Sequence, residues 1–347
     1  MQVCMQLSYA AGFEESARQV AELERSGLDL VWVAEAYGFD AVSQMGYLAA
    51  LTERVQIASG ILPIYTRTPT LLAMTAAGVD ALSHGRCHLG LGASGPQVIE
   101  GWHGVAYDRP IGRTREIIEI CRAVWARQDR LVHDGPIYRL PLPESEGTGL
   151  GKPLKIIAHP VRPRIPVWVA ALGSKNVQMA AEVADGWMPL FFHPEKAGEV
   201  WEADLAAGRA KRDPSLDPLW ISAGGLVAIG EDAAAMRDLA RPLIALYVGG
   251  MGSRERNFYN ELVQRYGFEA EAKQIQDLYL DGKKDEAAAA VPAELLEATT
   301  LCGPPSYVQE RIAAFREAGV THLSVTPLPL GEQSAAGVIS QVKEWSA

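Results

Sequence analysis

The sequence predicts an α/β fold, a (β/α)8 barrel of parallel strands. Three observations carry this. Short apolar runs alternate with amphipathic segments along most of the 347 residues, eight such runs appear, and no Pro-, Ser- or Gly-rich linker divides them. With 48% hydrophobic and 21% charged residues, the chain can bury one large core. Residues 1–347 are therefore read as a single domain.

Val3–Ser8 opens the pattern as a strand. Helix Phe13–Ser26 follows, with Ala17, Val20, Ala21 and Leu23 at helical spacing and Gly27 as its C-cap. Strand Leu28–Ala34, helix Asp40–Thr52, strand Val55–Ser59, helix Thr68–Leu82, strand Cys87–Leu91 and helix Ile111–Arg127 continue it. The second half reads strand Val167–Ala170, helix Ser174–Ala184, strand Gly186–Leu190 and helix Pro194–Arg212. Strand Leu219–Ile229, helix Asp232–Val248, helix Pro305–Ala318 and strand His322–Thr326 complete it. Two insertions interrupt the alternation, at about 128–165 and 249–303. The first contains "RLVHDGPIYRL" (Arg130–Leu140), where Asp134-Gly135 between apolar runs predicts a hairpin. The second is charged and alanine-rich and predicts extra helices. Both are expected over the C-terminal mouth, where such barrels keep their chemistry.

The formal net charge of −10 argues against nucleic acid or an anionic membrane as partner, yet leaves a small anionic ligand open. No apolar run reaches the roughly 18 residues of a membrane helix. The start, "MQVCMQLSYAAG", lacks the basic and apolar regions of a signal peptide, so a cytoplasmic location is expected. Cys4, Cys87, Cys121 and Cys302 form no CxxC pair and are read as reduced thiols.

"GLGASG" (Gly90–Gly95) satisfies G-x-G-x-x-G, which raises an NAD-binding alternative. That motif needs a helix opening within the glycines and a second strand ending in an acid about 20 residues on. Here "GWHGVAYDRP" shows no helical period, and Glu116 and Glu119 fall on a helix. Glycines that end a barrel strand and leave amides facing a ligand fit better. His84 and His88 flank a loop-to-strand junction and share no helical face as metal ligands would. No metal site is read. His88 is in phase with Gly90 and Gly92 and points to the lower core, while His103 is a loop residue near the mouth.

Four segments together resemble the luciferase-like superfamily: "SGILPIYTRTP" (Ser59–Pro69), "GRCHLGLGASGPQVIEGWHG" (Gly85–Gly104), "IPVWVAALGSKNVQMAAEVADGW" (Ile165–Trp187) and "GVTHLSVTP" (Gly319–Pro327). Within it they are most similar to the coenzyme F420-dependent branch, including methylenetetrahydromethanopterin reductases. The resemblance implies a bulge in the third strand with a non-prolyl cis peptide at Gly60–Ile61, behind the middle ring of the deazaflavin. It places Ser94, Gly95 and Gln97 beside the ring and polyol. Leu172, Gly173 and Ser174 fall at the phosphate, and Pro189 and Leu190 along the tail. Close relatives often carry an acid followed by histidine after the second strand. Here Glu35 is followed by Ala36, which leaves Glu35 as the candidate acid or base, or else as a structural partner of nearby amides. Arg67 could pair with an acid or cap a loop. A homodimer is implied as well. The implied activity is hydride transfer between F420 and a small organic substrate. FMN-dependent monooxygenation and non-catalytic deazaflavin binding stand as alternatives.

Overall fold

The computed structural model describes residues 1–7 and 12–347, so Ser8 of the expected first strand lies outside it. Eight parallel strands pair in chain order and close on themselves. They are β1 (Gln2–Gln6), β2 (Leu30–Val33), β3 (Gln56–Ser59, resumed at Leu62–Pro63) and β4 (Cys87–Gly92). β5 (Val167–Ala170), β6 (Gly186–Met188), β7 (Trp220–Ile229) and β8 (His322–Pro327) complete the barrel. His322 of β8 stands opposite both Ser222 of β7 and Gln2 of β1, which closes the ring.

The outer helices begin where the sequence provides caps. Asp40 accepts from Ser43 N–H ahead of α2 (Ala41–Leu51), which follows α1 (Phe13–Arg25). Thr68 accepts from Leu71 N–H ahead of α3 (Pro69–Leu82), with Pro69 in the first turn. Gly27 takes φ 101 just past α1, the left-handed position glycine adopts readily.

Several expectations are corrected. A short helix, α4 (Pro96–Gly101), follows the glycine run; six residues opening on a proline are too few to show a period. It leads to α5 (Pro110–Ala126), not to a second strand, so the NAD-binding topology is absent here. The hairpin is a two-residue ribbon, His133–Asp134 with Arg139–Leu140, whose turn is tied to Glu116 of α5 by the Ile137 and Tyr138 amides. The helix expected over Asp232–Val248 breaks into a 3-10 stretch (Ala233–Ala240), a short α turn (Arg241–Ala245) and a π turn (Leu246–Gly250). Pro242 supplies no N–H to an uninterrupted helix. Strand Leu301–Gly303, parallel to the end of β7, and a last helix, Ala335–Trp345, are among the elements that had no expectation.

Alternate strand residues point inward, and they form layers. Cys4, Leu30, Trp32, Ala58 and Trp168 make one buried cluster with Met188 and Trp220 packed on it. Trp32 meets Trp168 edge-on at 5.1 Å, and the His322 ring meets Trp168 at 4.8 Å. His88 lies in this floor as its phase predicts, with Nδ1 accepting from Trp168 Nε1 at 3.0 Å. The four cysteines are free and buried.

Burial lowers the pKa of His88 to about 3 and that of His322 to about 4, so both stay neutral in the folded protein. Below about pH 6.5 the unfolded chain binds protons at these imidazoles that the folded chain does not, so stability falls with acid. Each histidine contributes a slope of up to about 1.4 kcal/mol per pH unit between its ordinary and folded values. Urea unfolding at stepped pH is expected to show this acid limb. His88→Gln, which keeps an acceptor for Trp168, is expected to flatten it.

Candidate active site

The wall of the mouth is shaped where β3 breaks. Before the break Ala58 pairs with His88, and after it Leu62 pairs with Leu91, so β3 spends one more residue than β4. That is a bulge, and within it the Gly60–Ile61 peptide is cis. The Ser59 hydroxyl takes the place of the lost ladder bonds. Ser59 Oγ accepts from Gly90 N–H at 2.8 Å and donates to Gly90 C=O at 2.9 Å. The strands run so close that a Cβ at Gly90 would lie 1.9 Å from the Ser59 carbonyl oxygen. A Cβ at Gly92 would lie 2.8 Å from Ile61 Cγ1. The Gly90 amide is therefore committed to Ser59, which corrects the expectation that it faces a ligand. These glycines serve close approach.

One layer above the aromatic floor, Ala34, Gly60, Gly92 and Ala170 continue the inward phase with little or no side chain. Gln6 at the end of β1 shares the inward phase of Cys4 and is exposed at the mouth. Its Oε1 lies 3.5 Å from where a Cβ on Gly60 would be. Sequence reasoning did not single out Gln6, although the two-residue period from Cys4 would have found it.

Loops from several strands border this space. Ser94 holds φ 58 and Phe191 φ 54, left-handed conformations that cost a non-glycine residue on the order of 1–2 kcal/mol. Each turns the chain just beyond a barrel strand. Gly95 caps α4, where Gln97 is exposed. The Tyr65 hydroxyl donates to Asp108 C=O at 2.9 Å, and the Arg113 guanidinium lies 5.0 Å from the Tyr65 ring centroid, so the loops after β3 and β4 are joined. Pro189 is buried, with Leu190 half-buried beside it. Phe191 packs on Tyr247 and Tyr259, which brings the segment after β7 over the mouth. Leu172 and Gly173 lead into α6 (Ser174–Val183). The Ser174 hydroxyl is engaged, because Asp204 of α7 (Ala197–Arg209) stands 2.5 Å away.

Glu35 and Arg67 form a two-point ion pair between the loops after β2 and β3, at 2.6 and 2.9 Å. Glu35 Oε2 also accepts from Ala41 N–H at 2.9 Å, and Arg67 reaches Asp40 at 2.6 Å. The hydrogen bond to Glu35 raises the Arg67 pKa above its already high ordinary value. Both carboxylate oxygens of Glu35 are thus occupied.

A family model for luciferase-like monooxygenases matches residues 2–322. The chain belongs to that family. It is 41% identical, over all of this chain and 98% of the relative, to a Mycobacterium tuberculosis protein that carries the name of a coenzyme F420-dependent oxidoreductase. It is 29% identical, over 89% of this chain and 87% of the relative, to the 5,10-methylenetetrahydromethanopterin reductase of Archaeoglobus fulgidus. Among solved structures, the coenzyme F420-dependent tetrahydromethanopterin reductase of Methanopyrus kandleri matches with TM-score 0.78 at 20% identity, covering 99% of this chain and 97% of that one. An F420-dependent secondary alcohol dehydrogenase holding an F420-acetone adduct matches with TM-score 0.76 at 17% identity, covering 100% and 99%. The oxygenating constituent of 3,6-diketocamphane monooxygenase from Pseudomonas putida, in complex with FMN, gives 0.65 at 16% identity, covering 99% and 98%. At these identities the structures speak for the fold. With the named relatives, they make this luciferase-like protein an oxidoreductase.

Within this luciferase-like barrel, the Glu35 and Arg67 side chains are only 10% and 13% exposed, so removing one leaves the other charge buried. Arg67→Ala is expected to destabilise the protein by about 3–5 kcal/mol in denaturant unfolding. Glu35→Gln in the Arg67→Ala background is expected to recover part of that loss, giving a coupling energy well above that of a surface pair.

Proposed function

We propose that this oxidoreductase uses coenzyme F420 and passes a hydride between the deazaflavin and a small organic substrate. The observation that supports the reading is the half-buried layer of Ala34, Gly60 and Ala170 above a closed aromatic floor, with the Ile61 side chain packed on Gly92 beside it. A flat tricyclic ring suits a space lined by so little side chain, and Gly60 has no room for a Cβ of its own, which would lie 3.1 Å from Trp32 Cβ. The full-length likeness to a relative with an F420-dependent name points the same way.

When bound, F420 supplies a hydride carrier at C5 that reacts poorly with oxygen. The chain's task is to bind, orient and exclude water. Gly60 and Ile61 form the wall at the ring, and Gln6 presents an amide at its border. Ser94, Gly95 and Gln97 lie beside the ring and polyol in this reading. Leu172, Gly173 and Ser174 meet the tail through backbone amides, since the Ser174 hydroxyl is held by Asp204. Pro189 and Leu190 line the same tail. Glu35 positions the loop after β3 through Arg67 and transfers no proton.

We also infer a homodimer through the outer faces of α2 and α3. Tyr47 and Leu51 on α2, and Leu71, Met74 and Leu82 on α3, are exposed, and the one charged residue in the two helices, Asp80, is buried. Gly46 and Gly78 have open space beside them, which lets a second copy approach closely. Light scattering on a sizing column is expected to give twice the chain mass, and Met74→Glu to give a folded monomer. A wild-type monomer would remove the inference.

Titration by absorbance and fluorescence tests the cofactor. F420 is expected to bind in preference to FMN, and protein loaded with reduced F420 to regain the oxidised spectrum on adding a ketone or unsaturated carbonyl. Preference for FMN with oxygen consumption would move the protein to the monooxygenase reading. Tight F420 binding that no acceptor discharges would make it a deazaflavin-binding protein.

A further inference from the structure

We propose that Arg256 is the cation that receives the anionic phosphate of the cofactor's tail. The assignment rests on the cofactor reading above and adds to it a residue from the segment between β7 and β8.

That segment packs on the loops after β5 and β6, through Phe258 at Gly173 and through Tyr247 and Tyr259 at Phe191. The Phe258 ring lies 3.9 Å from where a Cβ on Gly173 would be, so the residue two before it along the chain is close to Leu172–Ser174. The Arg256 guanidinium lies 5.9 Å from the Phe258 ring centroid. The Tyr107 hydroxyl, near enough to feel the Arg256 charge, lies 3.5 Å from Ser94 C=O. Burial raises the Tyr107 pKa, and the Arg256 charge pulls against that rise. Arg256 therefore sits beside the ring that packs on the loop assigned to the phosphate.

Its charge is uncommitted. Among the described residues no carboxylate lies within 4.0 Å of Arg256, whereas its neighbour Arg254 is paired with Asp277. A guanidinium can give a phosphate two parallel hydrogen bonds. The need for a cation is local, because Asp204 beside Ser174 already places a carboxylate at this end of the site.

The turn that carries Arg256 is also fixed in advance. Asn257 is buried, and its Nδ2 donates to the Tyr247 and Val248 carbonyls at 3.0 Å. Its Oδ1 accepts from the Tyr259 and Asn260 amides. Ser253 and Arg256 form a β-bridge, and a Cβ at Gly252 would lie 2.4 Å from Arg256 C=O. Binding then has little backbone left to order, which favours affinity.

The test compares binding of F420, the same deazaflavin chromophore lacking the phosphate tail, FMN and riboflavin to wild type, Arg256→Ala and Arg256→Lys, by fluorescence titration at low and moderate salt. Arg256 is exposed, and circular dichroism is expected to show both variants folded. Arg256→Ala is expected to weaken the phosphate-bearing cofactor by about tenfold or more, with a smaller loss in Arg256→Lys, and to leave the phosphate-free partner unchanged. Salt is expected to narrow the gap. Equal losses for both ligand types, or no loss, overturn the role of Arg256 while leaving the cofactor reading in place. A wild type that binds neither F420 nor FMN overturns both.

Discussion

The contact between Ser59 and Gly90 is the constraint on which the site depends. A serine hydroxyl, fully buried, takes both the N–H and the C=O of a glycine on the neighbouring strand. This holds β3 and β4 together where their backbone ladder fails, because β3 carries an extra residue there. No larger residue fits at Gly90, and Gly92 gives the Ile61 side chain its place. The bulge therefore sits at one fixed position, at the C-terminal end of the barrel.

Much of the mouth follows. Below the bulge the interior is filled by tryptophan and histidine rings, whose neutral state suits a dry core. Above it the inward positions are alanine and glycine, and space opens. The surrounding loops are tied to one another by the Glu35–Arg67–Asp40 group on one side and by Tyr65, Asp108 and Arg113 on the other. Rigid loops around an open slot suit a protein that orients a cofactor and leaves the redox chemistry to it.

The barrel itself was legible because its parallel strands are short apolar runs that each meet a helix. His88 could be placed in the floor from strand phase alone. The pairing of Arg67 with an acid was among the readings open at the outset, but the choice of Glu35 and Asp40 needed the loops to be folded. The bulge at Gly60–Ile61 came from likeness to a family, since Gly-Ile-Leu-Pro by itself also describes an ordinary turn. The purpose of Gly90 was hidden, because it depends on a carbonyl of a different strand. Arg256 was hidden for the same reason, lying far along the chain from Gly173, which its neighbour Phe258 approaches. Short elements such as α4 and Leu301–Gly303 carry too few residues for any period to register.

A crystal structure with F420 bound tests the account most directly. It is expected to show the planar ring against Gly60–Ile61, over the Trp32–Trp168 floor, with Ser59 still bonded to Gly90. A ring lodged elsewhere, or the two strands parted at Ser59, would contradict it.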